Sequence, residues 1–331
     1  MTERMKKGML QMINLTEELQ GAKTVGIAGH IRPDGDCVGS CLGLGLYIRK
    51  YFPDIEVTIY LGEFQDSYHF LKGADEVVND FHSDMVYDVF FALDCGDLAR
   101  LGQAVKYFET ARKTICIDHH VSNVSFADVN YVVPEASSAS ELVCNILDHE
   151  KITSEIAEAL YMGIAHDTGI FTFSCTSSHT METAGMLMDK GIDFSGIIDR
   201  TYYQKTYLQN QILGRALLES VMMLDNKIIF SAIRQKDMDF YEVEPKDMDG
   251  IVQQLRNTAG VEAAIFLYET GPQEFKVSMR SNGKIDVSQI ACYFGGGGHV
   301  KAAGCTMQGS VYDVVNNLVK HMDKQLRQVQ A

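Results

Sequence analysis

The chain has 331 residues, 46% of them hydrophobic and 22% charged, with a formal net charge of −15. That is enough apolar material for two cores, at roughly 100–200 residues per domain. The acidic balance argues against a protein that coats long DNA or RNA through a broad basic face, and no apolar run approaches the ~18 residues of a membrane span.

Taken in order, Met1 to Gln11 carries Arg4, Lys6 and Lys7 but no apolar stretch of signal-peptide length, so the cytoplasm is the expected compartment. Residues 2–20 carry a helical stripe ended by Gly21. Thr24–Ala28 is a short apolar strand running into Gly29-His30. Residues 38–51 form a helix with glycines that permit close approach to a sheet or ligand. Strands follow at 55–60, 88–93 and 113–117, with helical patterns near 101–111, 139–150 and 154–166. Strands alternating with helices predict a mostly parallel sheet covered on both faces. From 178 to about 222 the pattern is helical, and from Ile228 the texture changes to short strands (228–233, 263–269, 275–279) with a helix near 248–257. The expected organisation is a catalytic domain over 1–205, a helical connector over 206–225 and a smaller α/β domain over 226–331. No repeat or low-complexity segment is evident.

Three of the strands deliver chemistry to one rim. His30-Ile31-Arg32-Pro33-Asp34-Gly35-Asp36 follows the first, Asp94-Cys95-Gly96-Asp97 the third, and Asp118-His119-His120 the fourth. Ligands of open parallel sheets bind at that carboxyl edge, near a switch in strand order. His166-Asp167-Thr168-Gly169 adds a further carboxylate. Carboxylates with one or two imidazoles are a donor set for Mn²⁺ or Mg²⁺, and the histidine leans it towards Mn²⁺. His30, Asp34, Asp36, Asp94, His119 and Asp167 can converge on a pair of cations ~3.5–4 Å apart, with Asp97, Asp118 and His120 close by. Singly, each admits a plainer role. An aspartate after a strand commonly caps the next helix, so Asp97 and Asp118 alone are as well read as caps or supports. His166 is read as a satisfied helix-end histidine. His69, His82, His149, His179 and His321 belong to no constellation. The eight cysteines form no C-x-x-C pair, and Cys37 and Cys41 are read as buried thiols.

In the second domain, Gly295-Gly296-Gly297-Gly298-His299 reads either as a flexible loop or as a nest of exposed amides that accepts a phosphate. His299 and Lys301 add donors. Arg280-Ser281 ends a strand, where a guanidinium can grip a phosphate bidentately.

Together these motifs resemble the DHH phosphoesterase superfamily: His30-x3-Asp34-x-Asp36, Asp94-Cys95-Gly96-Asp97, Asp118-His119-His120 and Asp167-Thr168-Gly169 in order, then the glycine-rich Gly295–Gly298-His299 and Ala303-Gly304, similar to the DHHA1 signature. The likeness covers nearly the whole chain and is greatest to the stand-alone oligoribonuclease (nanoRNase) and 3′-phosphoadenosine-5′-phosphate phosphatase branch. It implies that His30 and Asp34 hold one Mn²⁺, that Asp36, His119 and Asp167 hold another, and that Asp94 bridges them, with Mg²⁺ as the alternative metal. It implies a catalytic group of His120 facing the phosphate, Asp118 orienting a histidine, and Asp97 in support. Substrate binding falls to Arg280, Ser281, Gly297, Gly298 and His299, across a cleft that measures substrate length.

The expected activity is two-metal, in-line hydrolysis of short single-stranded RNA or dinucleotides, or of the nucleoside bisphosphate, without membrane or long-duplex partners. A cyclic-dinucleotide or linear pNpN phosphodiesterase is the nearest rival. A manganese pyrophosphatase and a non-catalytic RNA-binding module are weaker ones. A homodimer is compatible with the chain.

Overall fold

Five short apolar segments build the first sheet: β1 (Thr24–Ala28), β2 (Glu56–Tyr60), β3 (Val89–Leu93), β4 (Thr114–Asp118) and β5 (Val129–Val132). In the computed structural model, which describes residues 13–330, they lie in the order β2-β1-β3-β4-β5 and are all parallel. β3 and β4 are buried along their whole length, as strands covered on both faces must be. Their residues alternate between two cores. Val89, Phe91 and Leu93 join the larger core with Val25, Ile27, Ile115 and Ile117. Phe90 and Ala92 face a smaller aromatic core of Tyr60, Tyr87, Tyr107 and Phe108.

Two aspartates tie neighbouring strands together in the same way. Asp88, just before β3, accepts the amides of Lys23 and Thr24 at the start of β1. Asp128, just before β5, accepts the amide and hydroxyl of Thr114 at the start of β4. In each case backbone amides are the main reason the carboxyl sits below its usual range.

The helix Gly35–Tyr51 follows β1 and packs closely on the helix Ser154–Asp167, with Gly39 against Ala159 and Gly163. Gly39 and Gly43 thus serve the helix crossing, and Gly45 lies against Ile59 and Ile27 of the sheet. The helix Ala139–Ile146 completes that layer. The expected helix over 101–111 is a 3₁₀ segment, Leu98–Ala104, that runs into Val105–Thr110. Of the helix expected over 2–20, Leu15–Glu18 is seen; residues 1–12 lie outside the described residues.

The helical pattern over 178–222 is made of Ser178–Met188, Phe194–Ile198, a π-helical turn Asp199–Tyr203 and Tyr207–Leu218. Local chemistry makes the cuts. Gly191 adopts a left-handed φ of 81°, and Asp193 and Thr206 cap the next helices through Gly196 and Gln209.

The chain divides into two units between Gln204 and Lys205. The second unit has a six-stranded mixed sheet, β10-β11-β9-β8-β7-β6. Its strands are β6 (Val221–Met223), β7 (Ile228–Ile233), β8 (Ala263–Gly271), β9 (Glu274–Ser281), β10 (Gly297–His299) and β11 (Ala302–Gln308). One face packs on the helices Val287–Tyr293 and Val311–Gln330 through Ile290, Val314 and Leu318. The other packs on Tyr207–Leu218 through Ile212 and Ala216. The segment expected to be a connector is therefore structural. Its helix buries apolar residues in the second unit's own core, and Val221–Met223 pairs with β7.

Candidate metal centre

Register sets the site. Ala28 of β1 pairs with Ala92 of β3, and Leu93 of β3 pairs with Ile117 of β4. Two residues beyond the first pair are His30 and Asp94; one beyond the second are Asp94 and Asp118. All three emerge side by side at the carboxyl edge. β1 and β3 are also where the strand order reverses, since β1 leads to β2 on one side and to β3 on the other. That is the switch point at which such sheets open a crevice.

Asp94 lies at the centre. It is 3% exposed, and its backbone adopts a left-handed φ of 55°, which turns the side chain off the strand axis. Non-glycine residues pay for that conformation, aspartate less than most. Its Oδ2 lies 3.4 Å from His30 Nε2, which is also 3.6 Å from Asp34 Oδ2. Its Oδ1 lies 3.6 Å from both His119 Nε2 and His120 Nδ1. His119 Nε2 in turn faces Asp167 Oδ2 at 3.2 Å and Asp36 Oδ2 at 4.0 Å. One carboxylate thus stands between two His/Asp groups.

The donor set fits divalent cations. His30 Nδ1 donates to the carbonyl of Ile31 at 2.8 Å, which aims Nε2 at two carboxylate oxygens. Carboxylates only accept, so this arrangement calls for positive charge between them. Buried Oδ1 of Asp94 has no hydrogen-bond partner. Burial opposes a charged His30, yet Asp34 and Asp94 outweigh it and push the imidazole up to about 12. Burial, with the charges of Asp94 and Asp167, drives Asp36 well above the carboxylate range. Burial, with Asp94 and Asp34 adding, pushes Asp167 up to about 6. The cluster draws protons because its carboxylates repel one another, and cations answer the same demand. Asp34, Asp36, Asp94 and Asp167 carry four formal negative charges, the number two divalent ions neutralise. His30, Cys37 and Asp94 also lie within ligand range of one another, but burial raises the Cys37 thiol well above its usual value, so it remains a packed thiol.

The supports are as specific as the ligands. Asp36, 1% exposed, accepts the amides of Ala139 at 2.7 Å and Ser140 at 2.9 Å, one on each oxygen. The first turn of Ala139–Ile146 thus clamps it. Asp34 accepts the amides of Asp36 and Cys37 through Oδ1, capping its own helix, and keeps Oδ2 for the cluster. Asp118, fully buried, accepts His120 Nδ1–H at 2.7 Å and the side-chain Nδ2–H of Asn123 at 2.6 Å. Burial would raise Asp118, but those two hydrogen bonds outweigh it and hold the carboxyl below its usual range. The same contact with Asp118 occupies Nδ1 of His120 and raises the imidazole.

Some expected positions lie elsewhere. Asp97 is exposed and caps Leu98–Ala104 by accepting the Arg100 amide at 3.1 Å. His166 is the satisfied helix-end histidine: Nε2 meets Thr201 Oγ1 at 2.9 Å, Nδ1 meets Tyr68 Oη at 3.4 Å, and burial lowers it to about 4. In the second unit, Ser281 is 2% exposed and its hydroxyl accepts the Gly283 amide, so it seals a turn instead of pointing at a ligand. Arg280 donates to the carbonyl of Met279; desolvation, with repulsion from Arg256, lowers its guanidinium. Gly297, Gly298 and His299 are an exposed edge strand paired with β11, not a flexible loop. At Gly298 a Cβ would stand 2.5 Å from the carbonyl oxygen of Ala302, so only glycine permits that pairing.

Sequence reasoning did not find Asn123 or the Ala139/Ser140 amides. Asn123 stood three residues beyond the histidine pair, a legible polar signal. Ser138 with Glu141 has the spacing of a helix cap, but nothing local says that this helix start faces Asp36.

A two-unit α/β protein with an acidic histidine cluster at a sheet switch point defines a class of candidate metal-dependent hydrolases. Residues 24–164 match the DHH family, N-terminal domain, and residues 206–328 the DHHA1 domain, so the chain belongs to the DHH phosphoesterase superfamily in its DHH–DHHA1 form. It is 27% identical to the bifunctional oligoribonuclease and PAP phosphatase NrnA of Bacillus subtilis, over 92% of this chain and 93% of that protein. It is 29% identical to NrnA of Thermus thermophilus, over 86% and 84%. The crystal structure of an exopolyphosphatase-related protein from Bacteroides fragilis superposes with a TM-score of 0.88 at 26% identity, covering 96% of each chain.

Proposed function

We propose that this DHH phosphoesterase hydrolyses short RNA oligonucleotides to mononucleotides and converts 3′-phosphoadenosine-5′-phosphate to AMP and phosphate, using two Mn²⁺ ions. The observation that carries the metal reading is Asp94, whose two buried oxygens face two separate His/Asp groups. His30 and Asp34 would hold one cation with Asp94 Oδ2. Asp36, His119 and Asp167 would hold the other with Asp94 Oδ1. The hard carboxylates with imidazole favour Mn²⁺ over a thiol-seeking metal. When bound, such ions supply Lewis-acid polarisation of the phosphoryl group and a more acidic water.

The remaining work belongs to the chain. Asp118, itself held by Asn123, engages His120 through Nδ1, which leaves Nε2 to donate to the phosphate or the departing oxygen. The Ala139/Ser140 clamp fixes Asp36 before any ligand arrives, which lowers the cost of assembling the site. In the second unit we assign substrate binding to Arg280 and the Gly297–His299 strand, on the likeness to DHHA1 and on a guanidinium whose desolvation outweighs the pull of Asp249. Asp97 and Ser281, engaged in local caps, support structure. All eight cysteines are free thiols, which suits the reducing cytoplasm; among the described residues no helix is long and apolar enough to cross a membrane.

The substrate is tested with purified enzyme and Mn²⁺ on a panel: linear dinucleotide, longer oligomers, PAP, cyclic dinucleotide and pyrophosphate, with Asp94→Ala as the control for contaminating hydrolases. Fastest turnover is expected on short linear RNA and PAP. Preferred cleavage of cyclic dinucleotide or pyrophosphate would overturn the substrate assignment, and undiminished activity of Asp94→Ala would overturn the metal assignment.

A further inference from the structure

The segment after Asp167 carries an unusual backbone. Gly169, Ile170 and Phe171 have consecutive left-handed φ angles of 55°, 54° and 59°. Among the described residues the other such run, Leu224–Asn226, is the turn joining the antiparallel pair β6–β7. A β-branched or aromatic residue rarely adopts this conformation, and where it does the surroundings enforce it, often at a functional site. Here Thr168, fully buried, is the enforcing residue. Its hydroxyl donates to the Ile164 carbonyl and accepts the Phe171 amide, and its carbonyl accepts the amides of Thr172 and Phe173. The Ile170 amide closes the turn on the Ala165 carbonyl at 2.7 Å.

The outcome is a division between two phenylalanines. Phe171 turns inward against the main core, near Tyr161. Phe173 is left 45% exposed, with the distal end of its ring on Gly169, two residues from Asp167. Its Cζ, Cε1 and Cε2 come within 2.7 Å of where a Cβ on Gly169 would be, so a glycine is required beneath it. The pinned turn thus holds a half-exposed aromatic ring on a residue two positions after Asp167 of the acidic cluster. Nucleobases stack on aromatic side chains whatever their sequence.

We propose that Phe173 is a stacking platform for the nucleobase beside the scissile phosphate, and that it selects nucleotide esters over inorganic polyphosphates. The inference rests on the phosphoesterase reading above and adds a residue that recognises the base.

The protein has no tryptophan, so Phe173→Trp creates a single fluorescent reporter. In the full-length Mn²⁺-loaded protein, a phosphorothioate-linked dinucleotide, which resists cleavage, should quench its emission saturably. An abasic dinucleotide of the same backbone and inorganic tripolyphosphate should not. In steady state, Phe173→Ala should raise KM for the linear dinucleotide about 10-fold, leave the abasic dinucleotide unchanged, and be rescued by Phe173→Tyr. Absence of quenching, or an equal change on both substrates, would overturn the platform while leaving the phosphoesterase reading intact. A wild-type enzyme that cleaves tripolyphosphate but no dinucleotide overturns the substrate reading itself, and this inference with it.

Discussion

Asp94→Asn removes one formal charge from the centre of the cluster while keeping the size of the side chain. Two opposite effects follow. In chelator, Asp36 and Asp167 lose a repelling neighbour while His30 and His119 lose an attracting one, so the two changes oppose and the melting temperature should move little. In metal, the variant should fall behind. A cation at one hundred times its Kd stabilises the folded state by about 2.7 kcal/mol. For a unit the size of the N-terminal one, each kcal/mol moves the melting temperature by about 2–4 °C. Wild type, with two such cations, should therefore gain about 11–22 °C at Mn²⁺ one hundred times both Kd values. The variant, with a neutral amide where both groups of ligands meet, should gain about half of that or less, because one amide oxygen cannot serve both groups. Differential scanning fluorimetry with Mn²⁺ titrated against EDTA-treated protein reads both arms. A variant that melts with the full wild-type shift would refute the argument that Asp94 joins two cation sites.

Other consequences are as direct. Asn123→Ala leaves buried Asp118 Oδ2 without its 2.6 Å partner; it should cost about 1–3 kcal/mol by urea unfolding and lower kcat about 10–100-fold by freeing His120. Gly35→Ala places a Cβ 2.4 Å from Cγ of His166, so it should destabilise by about 1–3 kcal/mol and weaken the Mn²⁺ response measured by calorimetry, since His166 precedes Asp167. Asp88→Asn tests the strand ties. Its carboxyl is lowered in the folded state chiefly by the Lys23 amide, so its stabilisation is present above the unfolded value of about 3.9 and lost as pH falls through the lower folded value. Asp88→Asn should therefore show a reduced urea midpoint at pH 7, and the gap to wild type should close towards pH 3 or below. A constant gap would assign the effect to packing.

Much of this centre was legible before any coordinates. Apolar runs ending in His30, Asp94 and Asp118 are local patterns, and a parallel sheet sends the ends of its strands to one edge as a matter of chain direction. Boundaries held to within a residue or two where β-branched and aromatic residues dominate, as in β3. They failed where neighbours decide. Ala302–Gln308, rich in small residues, is a strand because β9 supplies its hydrogen bonds. Residues 206–225 belong to the second unit because Ile212 and Ala216 find a core there.

The division between the two kinds of information is sharpest at the site. Residue type and spacing along the chain fix which acids and imidazoles are available, their order, and the strand ends that carry them. Contacts between distant segments clamp Asp36 with amides more than 100 residues away, turn Ser281 inward and leave Phe173 exposed on Gly169. Those outcomes depend on register, burial and the closure of distant hydrogen bonds, which act through space between segments that carry no local mark of one another.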